Sequence, residues 1–219
     1  MNRYVVPVHG LQQGQKDIKL ILTVPEKMAK LILQRRVRQV EVGVDDGRFI
    51  SVLQRKKIYA MLRDIAEYTG YTDEAMKEVM KYEHMMRTGC EYFSLSDCSM
   101  TDAREFLNTL IEYALKEGVI MTESGLQRTD DIDTYLIQCI RYRKCCICGR
   151  PADIHHVDAV GMGQDRRQYD DSHSHIMALC RQHHTISHQR GQQAFMDTYK
   201  VYGIERYRTE KWQQDGDNV

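Results

Sequence analysis

Seven of the nine histidines of this 219-residue chain fall between His155 and His188, in a frame of cysteines that opens at Cys145 and closes at Cys180. Imidazole and thiolate are the commonest ligands of zinc and its neighbours, so this density predicts metal chemistry. The frame reads Cys145-x-x-Cys148-Gly149, then Asp153-Ile-His-His-Val157, then Leu179-Cys180-x-x-His183-His184-x-x-x-His188. A single ion cannot use so many ligands. Two ions can.

Geometry sorts them. Cys145 and Cys148 have the two-residue gap that lets a tight turn put both sulfurs on one ion. Cys180 and His183 repeat that gap, and the four together make a Cys3His set, the usual form of structural zinc. Cys146 sits between two ligands and is read as a bystander, and Cys90, Cys98 and Cys139 as ordinary thiols. His184 and His188 are four apart, so a helix puts them on one face. His183 and His184 are neighbours, turned about 100° from each other on a helix, and can serve different ions. His155 and His156 lie in a segment, Asp153–Val157, that reads as a strand. Strand neighbours face opposite sides, so one of the pair can hold an ion while the other stays free as a base.

Asp-Ile-His-His-Val, a gap, then Leu-Cys-x-x-His-His-x-x-x-His resembles the HNH endonucleases, the ββα-metal nuclease fold, in their zinc-knuckle form. The resemblance implies roles position by position. His155 matches the metal ligand of the first strand, and His156 the general base that takes a proton from the attacking water. His184 and His188 match the helix ligands. The family's middle Asn corresponds to His175, a departure from the pattern; that residue orients the loop carrying the base, and His173 is the other candidate for the part. Arg181 and Arg190, flanking the helix histidines, are candidates for binding phosphates.

An ion on two or three imidazoles keeps open positions for a phosphate oxygen and for a leaving 3′-oxygen. A neutral imidazole is suited to take a proton from water near neutral pH. The expected reaction is hydrolysis of a DNA phosphodiester, leaving 5′-phosphate and 3′-hydroxyl ends as in the family resembled. Expected ions are Zn2+ at the structural site and Mg2+ or Mn2+ at the hydrolytic one, with Zn2+ or Ni2+ as alternatives there.

Composition sets the outer bounds. Lys plus Arg and Asp plus Glu are each 31, so a basic total charge is not available as an argument for nucleic acid. Seven cysteines without a secretory leader predict a reducing cytosol, that of a bacterial host if the chain is phage-encoded. No apolar run approaches the roughly 20 residues needed to span a bilayer, so no membrane partner is expected.

The elements that must position these residues read as α+β: a β-rich and helical N-terminal domain, then a small zinc-containing ββα-metal domain. Tyr4–Val8 and Ile18–Val24 read as strands around a turn at Gly14. Pro25 starts a helix carrying Met28, Leu31 and Ile32, and Gln39–Val44 reads as a strand ending in the turn Asp45-Asp46-Gly47. Ile58, Met61, Leu62 and Ile65 form one helical stripe. Thr72 starts a second helix, and Ser99 with Asp102 caps a third, striped by Phe106, Leu107, Leu110, Ile111 and Ala114. Polar, Gly-containing Thr122–Thr129 reads as a linker, and Asp130–Arg143 as a helix leading to the knuckle. The division predicted is residues 1–120, a linker and connecting helix over 121–142, the metal domain over 143–205, and a polar tail over 206–219.

From about Ile50 to Val119 the order of elements, opening on Ser51-Val-Leu-Gln-Arg-Lys-Lys-Ile-Tyr-Ala-Met-Leu-Arg-Asp-Ile, is similar to the NinB (lambda Orf) family of phage recombination mediators. That implies single-stranded or branched DNA and single-strand-binding protein as partners, and the whole chain resembles phage HNH nucleases carrying such a region upstream. Arg35, Arg36, Arg38, Arg55, Lys56, Lys57 and Arg63 would track phosphates, with Tyr59 for base stacking. Pairing of two chains, which would turn paired nicks into a double-strand break, is a further expectation. Three readings stand: a DNA endonuclease of recombination or replication, a mediator binding single-stranded DNA and its coating protein over a non-catalytic zinc scaffold, and a regulatory zinc protein. Only the first needs both His156 and His184.

Overall fold

The computed structural model describes residues 6–14, 17–37, 47–158 and 173–209. Strands β1 (Val8–Gln13) and β2 (Ile18–Leu22) pair antiparallel, and helix α1 (Glu26–Gln34) follows with Pro25 at its N-cap. The first strand starts later than expected. Tyr4 and Val5 lie outside the described residues, and of the expected segment only Val8 belongs to β1. Pro7 has no N–H for the ladder, and its carbonyl accepts from Thr23 N instead. Arg38, the strand expected over Gln39–Val44, Asp45, Asp46 and the tail beyond Thr209 also lie outside the described residues.

Helices α2 (Val52–Thr69), α3 (Asp73–Thr88) and α4 (Met100–Glu117) begin where the capping residues say they should. Ser51 Oγ accepts from Gln54 N while the Gln54 amide oxygen accepts from Ser51 N. Thr72 accepts from Ala75 N, and Ser99 from Asp102 N. Each of these bonds satisfies an N–H that the first helical turn leaves unpaired. The stripes read from the sequence on α2 and α4 are buried, and the two helices pack together.

A single turn, α5 (Gly125–Arg128), leads to α6 (Ile132–Arg141), then β3 (Asp153–His156), β4 (His175–Leu179), α7 (Arg181–Arg190), α8 (Gln192–Tyr199) and β5 (Ile204–Glu205). The second sheet has the order β3-β4-β5, antiparallel throughout, and pairs His155 with Met177 and His156 with Ile176. Strands β3 and β4 with α7 make the expected ββα unit. Helix α8 and strand β5 were not expected.

The segment Thr122–Thr129, read as a linker, is anchored on α2. Arg128 is only 1 % exposed and lies 3.1 Å from the Asp64 carboxylate of α2. Thr122 N donates to the same carboxylate at 3.1 Å. Helix α6 is buried along Tyr135–Ile140 and packs on both α4 and β4, with Tyr135 donating to the Cys146 carbonyl at 2.9 Å. The buried side chains from Ile50 to Ile204 form one hydrophobic cluster, so the core continues through α6 without a break near residue 120. The start of the expected tail is tied down as well, with Arg208 2.8 Å from Asp133. Among the described residues no helix is long and apolar enough to cross a membrane.

Candidate metal centres

Two groups of metal-ligating side chains meet around α7, and their membership follows from how the chain enters that helix. After Cys145 the backbone folds back at once: Gly149 N donates to Cys145 O at 2.8 Å and Cys145 N to Arg150 O at 2.7 Å. Gly149 takes φ +70°, a left-handed value that glycine adopts without strain. Strand β4 stops at Leu179, Cys180 is the N-cap of α7, and His183 follows in the first turn.

The four side chains converge at zinc-like spacing. His183 Nδ1 is 3.4 Å from Cys145 Sγ and 3.3 Å from Cys180 Sγ, and the sulfurs of Cys148 and Cys180 are 3.8 Å apart. Tetrahedral Zn–S and Zn–N bonds of about 2.3 and 2.0 Å give edges of about 3.8 Å for S–S and about 3.5 Å for S–N. The donor set fits a structural zinc to within a few tenths of an ångström. Burial pushes the Cys145 thiol up to about 12. At Cys148 burial also acts upward, but bonds from the Arg150 side chain and backbone bring the thiol below its ordinary value. The Arg150 guanidinium lies 3.3 Å from Cys148 Sγ and 3.6 Å from Cys180 Sγ, where it offsets thiolate charge. Burial, and then the Arg150 charge, hold His183 below its ordinary pKa, which favours the neutral, ligating ring. Cys146 is buried outside this group, its N–H on Ala178 O.

His184 turns away from this group, as adjacent helical residues must. With His188 on its own face and His155 from β3 it forms the second group, whose ligand nitrogens all lie within 4.8 Å of one another. Ring centroids are 4.7 Å apart for His155 and His184, 5.3 Å for His155 and His188, and 4.6 Å for His184 and His188. Exposure rises across the group: His155 is buried, His184 half-buried and His188 exposed. One side of the centre therefore opens to solvent. Burial lowers the His155 pKa, against an upward pull from the Gln192 bond and with a further lowering from the neighbouring histidines, and the net shift favours the neutral, ligating ring. The chemistry of an all-imidazole set fits a divalent transition ion.

His156 follows His155 on β3 and is exposed on the opposite face of the strand. His175, at the start of β4, is tied to Asp158, whose carboxylate accepts from His175 N at 2.7 Å and lies 3.0 Å from its Nδ1. Those bonds hold the Asp158 carboxyl below its usual range. His175 thus fastens the backbone two residues beyond His156. His173 instead lies beside Tyr207, the two rings tilted with centroids 5.6 Å apart. Arg181 and Arg190 occupy the first and last positions of α7, both exposed.

The upstream basic residues are scattered in their surroundings. Arg35 and Arg36 are exposed just past α1. Arg55 donates to Ser96 O at 2.7 Å. Lys57 is committed to Asp130, 2.6 Å away, and to Thr129 O, with only 17 % of its side chain exposed. Lys56 and Tyr59 are exposed, and with Val52, Arg55, Ala60 and Arg63 they line a shallow trough along α2.

Sequence reasoning missed Gln192, Asp158 and Arg150. Gln192 begins α8 and its Oε1 lies 2.9 Å from His155 Nε2. Nothing in a lone glutamine after a glycine announces that contact. Arg150 had a signal: it directly follows the Cys145-x-x-Cys148-Gly149 turn, where a donor can reach the sulfurs.

No curated protein and no solved structure matches the chain. Residues 23–211 match the model of the family described as "Putative HNHc nuclease", a span that covers both metal-ligating groups and the helices upstream. With two ligand sets divided between neighbouring histidines of a ββα helix, and a family match across most of its length, the chain belongs to that HNHc nuclease family.

Proposed function

We propose that the chain is a metal-dependent endonuclease that hydrolyses DNA phosphodiester bonds, with its reaction centred on His155, His156, His184 and His188. The observation that carries this reading is the convergence of three imidazoles from β3 and α7, ligand nitrogens within 4.8 Å, on a side open to solvent. A zinc scaffold alone has no use for a second ligand set. A divalent ion held there supplies positive charge to a phosphate oxygen and to the leaving 3′-oxygen. All-imidazole ligation favours Zn2+ or Ni2+ over Mg2+, while Mn2+, at the weak end of the transition series, serves as an exchangeable probe.

The remaining chemistry belongs to the chain. His156 takes the proton from a water molecule as that water's oxygen bonds to phosphorus on the side opposite O3′. The P–O3′ bond breaks, the 3′-oxygen acquires a proton from solvent, and the ends are 5′-phosphate and 3′-hydroxyl. His175, through Asp158, holds the backbone beyond His156, a positioning part in place of the family's Asn. Arg181 and Arg190 bind flanking phosphates from the ends of α7. Along α2, Lys56 and Arg63 track phosphates while Tyr59 offers a ring for stacking, which suits single-stranded or branched DNA. Lys57 has no part in this, since its ammonium serves Asp130.

The test is cleavage of plasmid and single-stranded DNA by His156→Ala in a panel of divalent ions. The variant should lose cleavage by about 100-fold or more while keeping its fold and zinc, as general-base catalysis contributes about 10²–10⁴. Full activity in the variant would remove His156 from the mechanism.

A further inference from the structure

The buried member of the imidazole group has a partner that comes from a different helix. Gly191, at φ +82°, turns the chain out of α7, and the next residue, Gln192, opens α8. Helix α8 is fastened behind both centres: Phe195 is fully buried, and Tyr199, seven residues on from Gln192 and so on the same face, sets its ring 5.5 Å from that of His183. On this mount the Gln192 amide oxygen lies 2.9 Å from His155 Nε2, and His155 is 3 % exposed. The Gln192 Nε2 is buried with no hydrogen-bond partner among the described residues.

We propose that Gln192 is the positioning residue of the hydrolytic centre: its Oε1 accepts the Nε2–H of His155 and thereby presents the Nδ1 lone pair to the ion. This rests on the metal-dependent reading above. A neutral imidazole carries one N–H and one bare nitrogen, and the bond made by one sets the state of the other. With the amide oxygen toward the ring, Nε2 must carry the hydrogen, and Nδ1 is free to ligate. With the amide reversed, Nδ1 would carry the hydrogen and His155 could not bind a metal. The oxygen is held on His155 while the Gln192 nitrogen has no partner among the described residues, and it is this orientation that the spectrum below reads.

Two measurements on zinc-loaded protein test this. The first is the long-range 15N–1H spectrum of the wild type without a second ion, in which His155 should show a protonated Nε2 and a bare Nδ1. A spectrum with Nδ1 protonated overturns the proposal whatever the metal data show. The second is Mn2+ affinity, read from the free-ion electron paramagnetic resonance signal. Gln192→Leu should bind Mn2+ about 10–100-fold more weakly, and Gln192→Glu, which keeps an acceptor oxygen, should restore wild-type affinity or better. Equal affinity in wild type and Gln192→Leu overturns the proposal, and so does failure of Gln192→Glu to recover it. If the wild type takes up no second divalent ion, whether Mn2+, Zn2+ or Ni2+, the hydrolytic reading falls, and the His155 signature, lost in Gln192→Leu and kept in Gln192→Glu, still decides the positioning role.

Discussion

Replacing Arg128 with Met tests whether the segment leading into α6 is anchored on the helices upstream. Its guanidinium is 1 % exposed and 3.1 Å from Asp64, whose side chain is 4 % exposed. Removing one partner of such a pair leaves the other charge buried and costs about 3–5 kcal/mol. Asp64 would keep two weaker donors, Thr122 N at 3.1 Å and Thr122 Oγ1 at 3.3 Å. That puts the expected loss near the lower end, about 3 kcal/mol, or about 6–12 °C in Tm for a chain of this size. Urea unfolding followed by circular dichroism, with calorimetry alongside, gives both numbers. Adding Asp64→Leu to Arg128→Met should cost far less than the two single changes summed, because the stranded carboxylate goes with it. A loss below about 1 kcal/mol for Arg128→Met, or additivity in the double variant, would refute the anchored segment and restore a slack linker over Thr122–Thr129.

Replacing Cys180 with Ser should cost the zinc and the fold of the ββα unit together, since the metal's binding energy is folding energy, about 10–16 kcal/mol in zinc-finger peptides. Metal content and circular dichroism check it, and a variant that stays folded without zinc would contradict the Cys3His assignment. Lys56→Glu with Arg63→Glu should weaken DNA binding at low salt and reduce the slope of log affinity against log salt by about two, one for each phosphate no longer neutralised. Filter binding across a salt series reads this directly, and an unchanged slope removes the α2 trough from the DNA path.

Local chemistry is legible in the sequence wherever one short segment carries it. The two-residue gaps of Cys145/Cys148 and Cys180/His183, and the 100° step from His183 to His184, are properties of a turn and a helix, and the side chains group accordingly. Ser51, Thr72 and Ser99 stand at helix starts because capping is decided within four residues. What sequence could not give depends on distant partners. Thr122–Thr129 is polar enough to read as a linker, yet Arg128 is spent on Asp64, 64 positions back. Lys57 reads as a phosphate ligand, yet the fold sets Asp130 beside it. Gln192 matters because Gly191 and the burial of Phe195 set α8 where it meets His155. None of these pairings leaves a periodic trace in the chain.

Two ions held by different sides of α7, one for shape and one for hydrolysis, are the centre of this account. The most direct test is metal stoichiometry with cleavage, comparing the wild type with His184→Ala/His188→Ala after chelation of loosely held ions and return of Mn2+. The wild type should retain one zinc, bind one Mn2+ and cut DNA; the double variant should retain the zinc but neither bind Mn2+ nor cut. A double variant that binds Mn2+ and cleaves like the wild type would show that hydrolysis does not occur at these imidazoles.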